Sequence, residues 1–228
     1  MNIVYETNGK GFLGWIVDLP GAYVRGSTID EARNKIESEI KEYEEWLNIS
    51  ASRSNIYKEA IVHSNLMIED ADSDIILENE LEDYESYEAF LYHCNLSLIS
   101  AKKVETIYQE CKSKDIVDPA KARKTFYGNA HATIRTQYKH IVDVQQYYLW
   151  QIGTSANIDL NIVDGRINTI RALQEKYIKE GNKLYENEEE DWTLRKVIRR
   201  LIWHDRIHAK AIERMNKRII INLTTALT

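Results

Sequence analysis

Hydrophobic and polar positions follow two different rhythms along this chain. Over residues 1–26 the segments IVYE, GFLGWIV and AYVRG are short and β-favouring, separated by Asn-Gly and Leu-Pro-Gly, and they predict a three-stranded meander. Ser27 or Thr28 then caps a helix, with Glu31 as capping-box partner and Ile29, Ala32, Ile36, Ile40, Tyr43 and Leu47 as its apolar stripe. AIVHSNLMIE and DIILENE each read as a strand, divided by the turn-like DADSD, and would complete a small sheet.

From about residue 84 the spacing is helical. Tyr87, Phe90, Leu91, Cys94, Leu98, Ala101 and Tyr108 mark one helix, with Pro119 in the break after it. A second runs from about 125 to 152 and stops at Gly153, using Ile134, Gln137, Ile141, Val144 and Tyr148. Ile167, Ile170, Leu173 and Tyr177 define a third, and Leu194, Val197, Leu201, Ala211 and Met215 a fourth. The expected fold class is α+β: an α/β domain over residues 1–80, then a four-helix bundle over 84–228. Because the bundle supplies its own stripes, 84–228 is expected to fold without residues 1–50.

Composition agrees with this pattern. Only two prolines and nine glycines occur in 228 residues, and 43% of positions are hydrophobic, enough for a sizeable core. A net charge of -6 argues against generic nucleic-acid binding, which depends on cationic contacts that release counterions. Arg195, Lys196, Arg199 and Arg200 follow the acidic run Glu188 to Asp191 and read as a solvated helix face, the alternative being an anion contact near the site. No apolar run reaches the roughly 20 residues of a membrane span, and the start MNIVYETNGKG lacks the order of a secretion signal. Cys94 and Cys111 lack CxxC spacing and read as buried small residues. A cytoplasmic location follows as the expectation, with a homodimer as the commonest assembly.

The chemistry concentrates in histidine. On the fourth helix the inward stripe includes His204 and His208, four apart, close enough for two imidazoles to reach one ion. His140 lies on the second helix beside Ile141 and Val144, so a third imidazole points inward from another helix. Three buried histidines are costly without partners for their nitrogens, which makes a divalent metal the natural reading. Asp143 and Asp205 are candidates to accept a ring N–H, Gln137 and Tyr147 to touch a substrate, and His93 to add a polar group to the cavity. His63 and His131 look incidental. His204-Asp205-Arg206-Ile207-His208 also parses as a variant of the zincin H-E-x-x-H, with Asp205 as base. That reading ranks lower, because aspartate is a methylene shorter and the helical surroundings lack a zincin sheet.

Two resemblances follow from these residues. The run GWIVDLPGAYVRGSTIDEARNKIESEIKEYEEWL resembles the HicB-like antitoxin family in its DLPG turn and in Thr28, Glu31 and Ala32 at the helix start. It covers about residues 1–50 and implies a partner-binding or dimerising module. The stretches YKHIVDVQQYYLWQI and WHDRIHAKAIERM resemble the DinB/YfiT-like metalloenzymes over about residues 84–220. The resemblance implies a divalent metal, zinc or nickel foremost, on His140, His204 and His208. It also implies an activity class, thiol-dependent S-transfer or isomerisation with a low-molecular-weight bacterial thiol and a small-molecule substrate. The alternative is non-enzymatic: an antitoxin-type module that binds a protein partner, with the helices as a metal-stabilised scaffold.

Overall fold

The computed structural model describes residues 1–51, 57–121, 124–125, 128–159 and 161–225. The protein is α+β. Strands β1 (Asn2–Thr7), β2 (Phe12–Ile16) and β3 (Tyr23–Gly26) form the expected antiparallel meander, and β4 (Lys58–His63) adds parallel to β1, giving the order β3-β2-β1-β4. Period-2 alternation divides the sheet's side chains between two faces. Ile3, Tyr5, Ile16 and Val24 meet helices α1 (Ile29–Arg33) and α2 (Ile36–Leu47), while Leu13, Trp15 and Tyr23 meet Ile68, Leu77 and Trp203.

Thr28 caps α1 by accepting from Glu31 N, and the Glu31 carboxylate accepts from Ser27 N at 2.8 Å. The single helix expected through Leu47 is divided at Asn34 and Lys35, which stay right-handed (φ -64° and -94°) but tighten into a turn. Lys35 is tied there by its ammonium, which donates to Arg25 O at 2.7 Å.

Four longer helices follow: α3 (Tyr87–Glu110), α4 (Ile134–Gln151), α5 (Ile162–Glu180) and α6 (Leu194–Thr225). Each of α3 and α4 packs against both α5 and α6. The start expected for α4 near residue 125 is not where the helix begins. Strands β5 (Lys124–Thr125) and β6 (Gly128–Asn129) form a short pair instead, and Thr133 caps the helix by accepting from Thr136 N; residues 126–127 of the expected helix lie outside the described residues. No helix among the described residues is long and apolar enough to cross a membrane. Cys94 and Cys111 are free and buried, and burial pushes the Cys94 thiol up to about 12.

Lys196, Arg199 and Arg200 do not line a solvated face; they are buried, Lys196 entirely. Their heads reach the segment DIILENE and the residues before it, where Lys196 donates to Asp74 O at 2.6 Å, Arg199 to Ile75 O at 2.8 Å and Arg200 to Ser73 O at 2.7 Å. With those carbonyls satisfied by side chains, the segment forms no strand and ends in the 3-10 turn Glu78–Glu80. The Glu80 carboxylate closes a two-pronged pair with Arg199 at 2.5 and 3.0 Å.

The segments expected as separate units, 1–80 and 84–228, share one core. Ile3, Tyr5, Ile40 and Tyr43 belong to the same apolar cluster as Phe90, Tyr148, Leu173, Ile198, Leu201 and Ile202. Arg206 of α6 is buried between Gly21 O, at 3.1 Å, and the Glu39 carboxylate, which also accepts from Tyr23 N at 2.9 Å. A second cluster, with Val104, Ile134, Ile141, Ala209, Ile212 and Met215, fills the far end of the helices.

The shared core argues against the expected independence of the helical half. Residues 84–228 alone should give no sharp thermal transition, because one face of α6 and the unpaired Arg206 are left in water; a cooperative melt of this fragment would show that the helices need no sheet. Gly21 is the tightest point of the seam: its φ is +88°, and an added Cβ would lie 2.7 Å from Ile202 Cγ2. Gly21→Ala should destabilise the whole chain by roughly 2 kcal/mol or more in urea titrations, with sheet and helix signals lost together.

Candidate metal centre

The site is built by α4 and α6. His204 and His208 stand one turn apart on α6, and His140 faces them from α4. One ligand atom from each lies within 4.8 Å of the others, so the three side chains could hold a metal ion. Nε2 of His140 and Nε2 of His204 are 3.1 Å apart. Two nitrogens at about 2.05 Å from one ion are separated by roughly 2.9 Å at a right angle and roughly 3.3 Å at the tetrahedral angle, so this spacing suits shared ligation. The imidazole centroids are 4.1 to 4.8 Å apart.

His204 is buried, while His140 and His208 are half-buried. Burial is the main cause that depresses their basicity, and the neighbouring imidazoles add to it. His140 falls to about 4, with Asp143 pulling weakly in the other direction; His204 and His208 lie well below the usual histidine value. At neutral pH all three are therefore uncharged and offer lone pairs, the state that metal ligation requires.

The residues expected around the triad separate into two groups. Gln137 does belong: its amide meets His208 Nδ1. An amide turned with its oxygen toward the ring accepts the Nδ1 proton and would leave the His208 Nε2 lone pair free for an ion. Nδ1 of His204 is buried and has no hydrogen-bond partner among the described residues. Asp205 does not serve the triad. It points to α5, where its buried carboxylate accepts from Arg166 Nη1 and Nη2 at 3.1 and 3.0 Å. Adjacent residues on a helix are turned about 100° apart, so a residue next to a ligand faces another neighbour. The zincin-like base is excluded on the same geometry.

Asp143 is half-exposed and paired with Lys139 at 2.8 Å, so it acts on His140 through its field. Tyr147 is exposed, with its ring against Tyr148 and Trp192. His93 is elsewhere, beside Tyr84 on α3, where burial lowers it to about 4.

One functional neighbour was not readable. His131 stacks on His140, with centroids 4.4 Å apart and planes 26° from parallel. It lies in the connection before α4, outside any helical spacing, so no periodicity could mark it. Tyr148 and Trp203 stand edge-on to His204 and complete the aromatic surround.

Compared with known proteins, the chain matches no family model, no curated protein and no solved structure.

Titration of the metal-free protein with zinc or nickel should reach one ion per chain, and His204→Ala should abolish the tight site. Gln137→Leu keeps all three imidazoles but loses the contact to His208, and should weaken binding by about 10- to 100-fold. Equal affinity in Gln137→Leu and wild type would show that the amide does not orient the ring.

Proposed function

We propose that this chain is a divalent-metal protein of the DinB type, in which His140, His204 and His208 hold one zinc or nickel ion and the site joins a low-molecular-weight thiol to a small electrophile. The observation that carries the reading is the convergence of three uncharged imidazoles from two helices, without a carboxylate or cysteine among them. Neutral ligands leave an ion its full charge, whereas structural zinc usually fills four positions with protein groups, often thiolates. A bound ion would supply Lewis acidity and bring a coordinated thiol or water into its ionised form near neutral pH.

The chain's own groups have separate tasks in this reading. Gln137 sets the His208 ring, and His131 holds the plane of His140 by stacking. Tyr148 and Trp203 exclude water from the His204 side, which strengthens every charge interaction there. The Arg166–Asp205 pair anchors α6 to α5 directly beside the ligand His204, so the ligand helix cannot rotate without breaking a buried ion pair.

Protein loaded with zinc or nickel should consume a bacterial thiol in the presence of a small alkyl electrophile, forming a thioether and releasing the leaving group. His208→Ala should lower this rate at least ~100-fold, a loss of some 3 kcal/mol in transition-state stabilisation, while the exposed change Lys179→Arg should leave it intact. A rate that survives both His208→Ala and a chelator would sink the proposal.

A further inference from the structure

The three imidazoles of the triad are not equally covered. His204 is 5% exposed and has Tyr148 and Trp203 edge-on to it, so its side is closed. His140 and His208 are half-buried, and a molecule that completes the coordination of an ion has to arrive past them. His131 borders that entrance: it is half-buried too, with its centroid 4.4 Å from that of His140. Its field reaches His208 as well as His140, whereas beyond the triad His204 answers to Arg200 and Arg166.

His131 sits in a connection, yet its place is fixed. Asp118 N donates to the adjacent Ala132 O at 2.8 Å, and the buried Asp118 carboxylate accepts from Arg218 Nε of α6 at 2.9 Å. Thr133 then caps α4. The backbone beside His131 is thus tied to both helices that carry the triad, which keeps its ring at a set distance from the imidazoles.

Covering the face of His140 does not require histidine, since a phenylalanine ring stacks as well. What an imidazole adds is polar: one N–H and one lone pair in either neutral tautomer. Those nitrogens do not join the ligand set, because the ligand atoms that lie within 4.8 Å of one another come from His140, His204 and His208. Other polar side chains expected near the triad are turned away, Asp143 to Lys139 at 2.8 Å and Tyr147 against Tyr148 and Trp192.

We propose that His131 donates a hydrogen bond to the molecule that takes the open position on the ion, and that this molecule binds there as an anion, a thiolate in the thiol-transfer reading. The inference rests on the triad being an ion site. His131 touches the guest and leaves the ion to the other three imidazoles.

Cobalt(II) is the probe for the ion and 2-mercaptoethanol the probe for the guest. The metal-free full chain is loaded with cobalt, and the thiolate-to-cobalt absorption band is followed as the thiol is added. His131→Phe keeps a ring on His140 and removes the donor, so cobalt affinity should stay within about twofold of wild type while the thiol binds about tenfold more weakly. His131→Asn gives up the ring but keeps a donor, and should recover most of that affinity. Equal thiol affinity in wild type and His131→Phe overturns the proposal, as does a His131→Asn protein that binds the thiol no better than His131→Phe. A tenfold or greater loss of cobalt affinity in His131→Phe also overturns it, since His131 would then act on the ion. A wild type that takes up no cobalt overturns the triad as an ion site and this inference with it, and that failure shows before any thiol is added.

Discussion

Four cations of one helix, Lys196, Arg199, Arg200 and Arg206, are buried, and the N-terminal half of the chain is arranged to receive them. A guanidinium or ammonium taken from water loses several kcal/mol of hydration unless geometry returns it through matched partners. Here the partners come from distant parts of the sequence: Glu39 on α2, Gly21 in the turn before β3, Glu80 and the carbonyls of Ser73, Asp74 and Ile75. Lys196, Arg199 and Arg200 thus tie α6 to the segment 73–80, and Arg206 ties it to Gly21 and α2. Burial of the Lys196 charge pulls its basicity down to about 8 despite Glu190 at 2.9 Å, a sign that desolvation outweighs the pairing there. Such pairs add little net stability compared with apolar contacts, but a misplaced sheet would strand charges in the core, so they select one arrangement.

The same helix explains why one strand was misread and another was not. The first part of AIVHSNLMIE forms β4 on the open edge of β1, while its end turns at Ile68–Asp70. DIILENE has the same apolar content, but its backbone lies against cations that take its carbonyls. Nothing in the segment itself announces that competition. The cations were misread for the complementary reason: a cluster of Lys and Arg on a helix usually faces water, and only the distant acceptors make burial affordable. The meander, the helix cap at Thr28, the four long helices and the inward direction of His140, His204 and His208 were legible because they rest on period and capping, which are local. The orientation of Asp205 was not, because Arg166 on another helix sets it; the α4 start and the role of His131 were not, because the short β5–β6 pair moves the helix start to Thr133 and leaves His131 in a connection without a period.

Residues 203 to 206 show how fully α6 is enclosed. Trp203 packs on Trp15 of the sheet, His204 turns to His140 on α4, Asp205 pairs with Arg166 on α5, and Arg206 reaches Glu39 on α2. Four consecutive side chains, each about 100° from the last, address four different elements. Over this stretch the helix is buried on all sides and has no free face on which to slide or rotate. That constraint matters most to the imidazoles, since a ligand set holds its preferred distances only if its supporting elements resist motion.

The enclosure also bears on the division of labour between the two halves. Were the helices a self-sufficient metal scaffold carrying an appended sheet, the ligand helix would present its charges to solvent and its apolar stripe only to α3, α4 and α5. Instead, the face of α6 opposite the triad is the one that buries the sheet, through Trp203, Ile202 and Arg206. Packed cores transmit displacement because they have no slack, so a shift of the sheet at Gly21 presses on Ile202, two residues from His204. The N-terminal module is therefore part of what positions the histidines. Any partner that moved the sheet at Gly21 would press on α6 beside the triad.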